Sequence, residues 1–452
     1  MKDLTSGNET VLIIRFTIPM LLGYLFQQFY NIVDSMIVGK FIGTDALAAV
    51  GSSFPIVFSL ISLIIGVTSG GTIIVAQYFG ARNFERVKAT IGTLYIFLFW
   101  ASISVTVIGI IFSGTLFRLI QLPADIIPQA KTYLNIYFLG MIGFFGFNAT
   151  SAILRGLGDS KTPLYFLILS TLFNIAFDLL FVVVFKWGVA GAAIATVISQ
   201  GGAFIMAAVY LNRTHEIIQI SWREFKFNND IFRKILRIGL PTGLQHTFVS
   251  LGMTVVQVIV NRFGTNVIAA YVAATRLDSL ATLPAMNFGM ALSTFVGQNV
   301  GAGKTERIKS GLKSTLIMSS VFSLAATFVM VFFGGHLMQL FVRSSESEVI
   351  RVGSEYLVIV GSFYIVFSAM FSINGVMRGA GDTIVPMFIT FFSLWMVRIP
   401  VAYFLSLRIG ESGIWWAIPI AWIIGTVFAF LYYRTGRWKA KAVVRHSFDL
   451  SS

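Results

Sequence analysis

Twelve long stretches of this sequence carry at most one Asp, Glu, Lys or Arg each, and no water-soluble core could hide that much uninterrupted apolar chain. Charge-free intervals cover 46–81, 89–117, 132–154, 187–212, 238–261, 279–303, 314–342, 356–377 and 412–433. Three more are each interrupted once, 16–39 by Asp34, 162–185 by Asp178 and 383–407 by Arg398. A helix crosses a bilayer with roughly 20 mainly apolar residues, so the expected fold class is all-α, a polytopic membrane protein of about 12 transmembrane helices. Only 12% of the 452 residues are charged and 56% are hydrophobic, which leaves lipid as the second solvent.

The net charge of +14 would suit a nucleic-acid partner if it were clustered on a soluble face. With a cytoplasmic amino terminus, however, Lys and Arg concentrate in the cytoplasmic connections, as the positive-inside rule requires. The basic stretches 213–237 and 434–445 therefore read as topology and anionic-lipid contacts, with no nucleic-acid partner. Both termini are expected to be cytoplasmic, in a cell inner (plasma) membrane. The opening residues 1–10 are polar and do not read as a cleavable signal. Cysteine is absent, which excludes disulfides and thiolate metal sites. The four histidines, His215, His246, His336 and His446, are scattered, and only His246 falls deep in a span.

An internal repeat organises the chain. The segment VAQYFGARNFERVK at 75–88 returns 221 residues later as VGQNVGAGKTERIK at 296–309. RGLGDSKTP at 155–163 returns as RGAGDTIVP at 378–386, and Arg15 to Pro19 matches Arg237 to Pro241. Six spans per unit bring the chain back to its starting side, so the halves should be parallel repeats about an axis normal to the membrane, with substrate binding between them. The expected boundaries are an amino-terminal lobe at 1–211, a linker at 212–232, a carboxy-terminal lobe at 233–433 and a tail at 434–452. Trp222, Phe225 and Phe227 give the linker the look of an interfacial helix. The Arg-Gly-x-Gly-Asp turns read as helix-end turns, with glycine supplying the turn and Asp capping the next helix; neither follows a strand, as a phosphate loop would.

Acids inside a membrane are expensive, and by default they mark function. Asp34 lies six residues before Lys40, and Asp178 eight before Lys186. At about 1.5 Å per residue, both sit roughly 9–12 Å below the outer boundary. Asn174 shares a face with Asp178, and Thr196 reaches a similar level from the next helix. Two carboxylates, an amide and a hydroxyl suit a hard cation such as Na+; two close carboxylates equally suit a shared proton. The competing structural reading makes Asp34 a helix cap or a partner of Arg398, and has Asp178 bonding a neighbouring Thr or Asn. Arg276 and Asp278 stand two apart and do not face each other on a helix, so snorkelling explains them as well.

The segment IPMLLGYLFQQFYNIVDSMIVG at 18–39, with the repeated Gln-x-x-Gly-Ala and Arg-Gly-x-Gly-Asp turns, resembles the multidrug and toxic compound extrusion (MATE) family over nearly the whole chain. The spacing of the acids resembles its DinF-type branch. The resemblance implies a secondary active efflux transporter, not an enzyme. It would exchange amphipathic, often cationic organic compounds for Na+ or H+, with no cofactor beyond the coupling ion. It also implies a helix bend at Pro19 and a coupling site for the proton or Na+ at Asp34, Asn174, Asp178 and Thr196. Gln27 and Tyr30 resemble drug contacts of the family, and Asn148, Asn287 and Met290 join them by polarity and position. The seventh span has no Glu and the tenth no Asp, so the carboxy-terminal lobe is expected to lack a coupling site of its own. The expected partners are small organic substrates and membrane lipid, with the chain acting as a monomer. The alternative is a lipid or lipid-linked saccharide flippase of the same superfamily, which would place more basic residues in its cavity than Arg276 and Arg398.

Overall fold

A computed structural model describes residues 3–214, 226–343 and 345–444, and among them every regular element is helical. Among the described residues, nine helices are long and apolar enough to cross a membrane, or eleven if each of two bent helix pairs forms one span. A further helix, Thr44–Gly80, holds two shorter apolar stretches, 44–57 and 64–80. The protein is an all-α polytopic membrane protein. Trp222 and Phe225, on which an interfacial linker helix was expected, lie outside the described residues.

The chain forms two compact units. One comprises 18–243: most of α1 (Glu9–Phe41), α2 (Thr44–Gly80), α3 (Phe84–Leu119), α4 (Ile127–Leu139), α5 (Met141–Gly156), α6 (Lys161–Asp178), α7 (Gly188–Thr214) and the start of α8 (Asn229–Val260). The other comprises 4–17 and the chain from 244 on. It holds the rest of α8, α9 (Thr265–Gly301), α10 (Thr305–Met338), α11 (Ser347–Gly361), α12 (Tyr364–Gly379), α13 (Ile384–Phe391), α14 (Ile399–Ile409) and α15 (Ser412–Arg434). The division cuts α1 just before Pro19 and α8 just after Pro241, the two prolines matched by the sequence repeat. A proline inside a helix removes one backbone hydrogen bond and crowds the preceding turn, which makes such positions natural bends.

The repeated Gln-x-x-Gly-Ala segments grip the chain that leads into each half. In the second unit, Gln298 Oε1 accepts from the Leu4 N–H at 2.9 Å, Lys304 Nζ donates to the Thr5 carbonyl at 2.8 Å, and Arg307 pairs with Glu9 at 2.9 Å. In the first, Asn228 N–H donates to Thr93 Oγ1 at 3.1 Å, and Arg86 stands 3.7 Å from Asp230. Small residues let backbones meet. A Cβ on Gly66 of α2 would come within 2.6 Å of the Gly239 carbonyl of α8, and one on Gly375 of α12 would strike the Gly289 carbonyl of α9.

Both Arg-Gly-x-Gly-Asp segments are helix-end turns. Gly158 and Gly381 have φ of +83° and +93°, which glycine alone adopts cheaply. Asp159 Oδ1 accepts from the Lys161 and Thr162 N–H groups at 3.0 and 3.1 Å, capping α6. Asp382 Oδ1 is 3.5 Å from the Val385 N–H, and its Oδ2 accepts from the Tyr432 hydroxyl at 2.6 Å.

Candidate functional site

Within the first unit, α1 carries Tyr30 and Asp34 one turn apart, α6 carries Asn174 and Asp178 one turn apart, and α7 carries Thr196. The fold brings these five side chains together. Asp34 is 8% exposed, Asn174 1%, Asp178 0% and Thr196 6%. The Asp34 and Asp178 carboxyls are neighbours that interact with each other. No protein donor reaches Oδ1 of either, and no described Lys or Arg forms an ion pair with them.

A hydrogen-bond chain fixes the surroundings. With its amide oriented to satisfy both ends, Asn174 Nδ2 donates to Asp178 Oδ2 at 3.0 Å, while its oxygen accepts from the Thr196 N–H at 3.3 Å. The Tyr30 hydroxyl lies 3.2 Å from Thr196 Oγ1, which donates to the Ala192 carbonyl at 3.1 Å. Thr196 spends its single proton on that carbonyl, so Tyr30 is the donor in the contact between them. Immediately after Asp178 the helix opens into a π-helical stretch, Leu179–Val184. Such stretches are frequent at functional positions because they redirect side chains out of α register.

Beside Tyr30 and Asn174 is a small cavity of about 10 Å³, lined also by Gln27, Leu167, Ser170, Ser199 and Gln200 among others. That is room for about one water molecule and not for an organic solute. Ser199 Oγ and Gln200 Oε1 are buried there without hydrogen-bond partners. The sequence reading did not single out Ser170, Ser199 or Gln200, since uncharged hydroxyls and amides occur throughout the spans. The other expected residues fall elsewhere. Asn148 turns its amide back to the Phe144 carbonyl of its own helix at 2.8 Å, and Asn287 and Met290 belong to α9 of the second unit. No group of three or more His, Cys, Asp or Glu side chains converges among the described residues.

Two buried acids with no ion-pair partner among the described residues stand inside a helical membrane bundle, where an ionisable side chain marks a functional site by default. The MatE family model matches residues 19–180 and 241–404, and the chain belongs to that family of transporters. It is 34% identical over 97% of its length to the Probable multidrug resistance protein YpnP of Bacillus subtilis (strain 168), of which it covers 98%. It is also 25% identical over 93% of its length to the FAD transporter of Shewanella oneidensis, covering 94% of that chain. Among solved structures, a MATE transporter in the bent conformation matches with a TM-score of 0.90 at 24% identity, over 97% of each chain.

Proposed function

We propose that this transporter exports amphipathic, often cationic organic compounds in exchange for H+ or Na+ entering at Asp34 and Asp178. It would work as a monomer in the inner membrane with both termini cytoplasmic. The observation that carries the reading is the facing, buried carboxyl pair without a fixed countercharge. Such a pair is costly when doubly ionised in a low dielectric, and binding one proton or cation removes the repulsion. Two carboxyls side by side in a low dielectric are accommodated most simply by sharing one proton, and Asn174 presents an N–H rather than an oxygen to Asp178. Both features favour H+ over Na+. Their placement in the amino-terminal half agrees with the DinF-type resemblance.

Neutralising the pair would let α1 bend at Pro19 and release substrate outward, with Gln27 and Tyr30 as its nearest contacts on that helix. One charge moved through 100 mV supplies about 2.3 kcal/mol, and a tenfold concentration ratio about 1.4 kcal/mol. A few charges therefore suffice for uphill export. A second reading, transport of an anionic solute, is favoured by the named FAD transporter among the relatives. The flippase reading predicts that neither gradient moves a soluble dye.

Proteoliposomes loaded with ethidium or with FAD, under separately imposed proton and Na+ gradients, test the proposal. Ethidium flux driven by the proton gradient supports it, and flux driven only by Na+ names the other ion. FAD moved in place of ethidium would overturn the substrate class.

A further inference from the structure

The helix α15 ends in positive charge that no described acid balances. From Ser412 to Phe448 the sequence has no Asp or Glu, while Arg434, Arg437, Lys439, Lys441 and Arg445 fall close together within it. Arg434, Arg437, Lys439 and Lys441 are exposed, and none of them forms an ion pair among the described residues. The start of the same helix is different. There Arg351 reaches Glu348 at 2.8 Å, Glu411 at 3.4 Å and Glu355 at 3.5 Å, so its charge is met by carboxylates of its own chain. At the basic end the acids are already engaged: Asp382 accepts from the Tyr432 hydroxyl, and Glu9 and Glu306 pair with Arg307 and Lys309.

These cations stand on a built turn. Gly436 reverses the chain at a φ of +70°, a left-handed conformation that glycine adopts readily. The 3-10 turn Arg437–Lys441 that follows puts Trp438 into the apolar cluster of Leu4, Val300, Ile308 and Ala429, where it is 3% exposed. Its indole N–H donates to the Tyr433 carbonyl at 3.0 Å, satisfying one of the carbonyls left open at a helix end, and its ring stacks on Tyr433 with centres 5.6 Å apart. One aromatic anchor thus fixes the basic residues on both sides of it. Lys439 Nζ lies 5.9 Å from the centre of the Trp438 ring, and the Arg434 guanidinium 5.9 Å from that of Phe430. Both side chains therefore run along aromatic surface and keep their charges outside.

Position decides what can balance those charges. Ser412–Arg434 is long and apolar enough to cross a membrane, so Arg434 stands where hydrocarbon gives way to headgroups. Fixed, unpaired cations at that level meet lipid phosphate. We propose that residues 434–441 form a binding site for an anionic phospholipid, in which Arg437, Lys439 and Lys441 hold the headgroup phosphate and Trp438 holds the turn. A zwitterionic lipid carries the same phosphate but offsets it with its own ammonium, so the site discriminates by net charge. The proposal is independent of which ion and which substrate are transported.

Native mass spectrometry of the full-length protein released from detergent micelles reads bound lipid without requiring transport. With phosphatidylglycerol and phosphatidylcholine supplied in equal amounts, the wild type should retain phosphatidylglycerol as its tightest-bound lipid. Arg437→Gln, Lys439→Gln and Lys441→Gln combined should lower that retention by at least about fivefold, the effect of a single cation near an anionic surface. Arg351→Gln, at the opposite end, should leave it unchanged. Trp438→Ala keeps every cation but frees the turn, and it should raise amide exchange at 437–441 and lower retention as well. Equal retention of the two lipids, an equal loss in Arg351→Gln or an unaltered triple variant overturns the proposal. So does retention that survives Trp438→Ala while exchange rises, since diffuse charge then suffices without a built site. Displacement of the lipid by millimolar inorganic phosphate would assign the cations to a free anion and would equally overturn it.

Discussion

The two units share a scaffold but not an interior. Each has a segment gripping the start of a half, a proline at the point where that first helix changes unit, and a glycine turn capped by Asp. Each also has a π-helical stretch in its last-but-one span, Leu179–Val184 in one and Phe392–Arg398 in the other. The buried charges differ. The first unit sets acid against acid, Asp34 with Asp178, beside a chain of hydrogen bonds. The second sets acid against base, Asp278 near Arg398, among aromatic rings and unpartnered atoms. The scaffold can therefore repeat because turns and close packing obey the same backbone rules in both halves, whereas charge placement is free to diverge. An acid pair must gain a cation to be stable in lipid, but an acid and a base already balance. The main coupling is accordingly expected in the first unit.

The largest expected effect follows directly. Asp34→Asn or Asp178→Asn should reduce gradient-driven export to background, and the double variant should be no worse than either single one, because the pair acts as one site. Packing comes next. Gly239→Leu should destabilise the first unit by about 1–3 kcal/mol or more, because its side chain must enter space held by the α2 backbone. Gly375→Leu should do the same in the second unit, where the Gly289 carbonyl blocks it, and thermal melting in detergent measures both. If only one of the two lowers the melting point, the equivalence of the scaffolds fails.

The grips should separate the units further. Arg307 bonds the Gly7 carbonyl at 2.9 Å and Asn299 Oδ1 at 3.1 Å in addition to Glu9. Hydrogen bonds to a charged group contribute about 1.5–3 kcal/mol, so Arg307→Ala should free residues 4–9 to faster amide exchange. The Arg86–Asp230 pair is looser and more exposed, at 3.7 Å, and Arg86→Ala should leave exchange at 228–234 nearly unchanged. The smallest effect is expected at the caps. Asp159→Ala should cost about 1 kcal/mol. Asp382→Ala should act mainly by releasing Tyr432, visible as increased exchange near the end of α15.

Much of this was legible in the sequence. Charge-free runs give the spans, and the matched depths of Asp34 and Asp178 anticipate their meeting because spans of one bundle hold residues of equal depth at one level in the membrane. The repeated turns were readable as caps because Gly and Asp at that spacing have few other uses. Tyr30 was read as a substrate contact from its resemblance to drug contacts of the family, and its bond to Thr196 ties it to the acid pair as well. Other features are not local. That residues 4–17 pack with the second unit is decided by Gln298, Lys304 and Arg307, far along the chain. Asp278 looked like a snorkelling neighbour of Arg276 because its true surroundings, Tyr356, Tyr364 and Arg398, arrive on three later helices.

The central claim is that Asp34 and Asp178 couple the ion to substrate movement rather than merely support the fold. The most direct test compares two modes of transport in the same vesicles. Asp34→Asn should still exchange labelled for unlabelled ethidium across the membrane without a gradient, while failing to accumulate it when a proton gradient is imposed. Accumulation by Asp34→Asn at the wild-type rate would contradict the account.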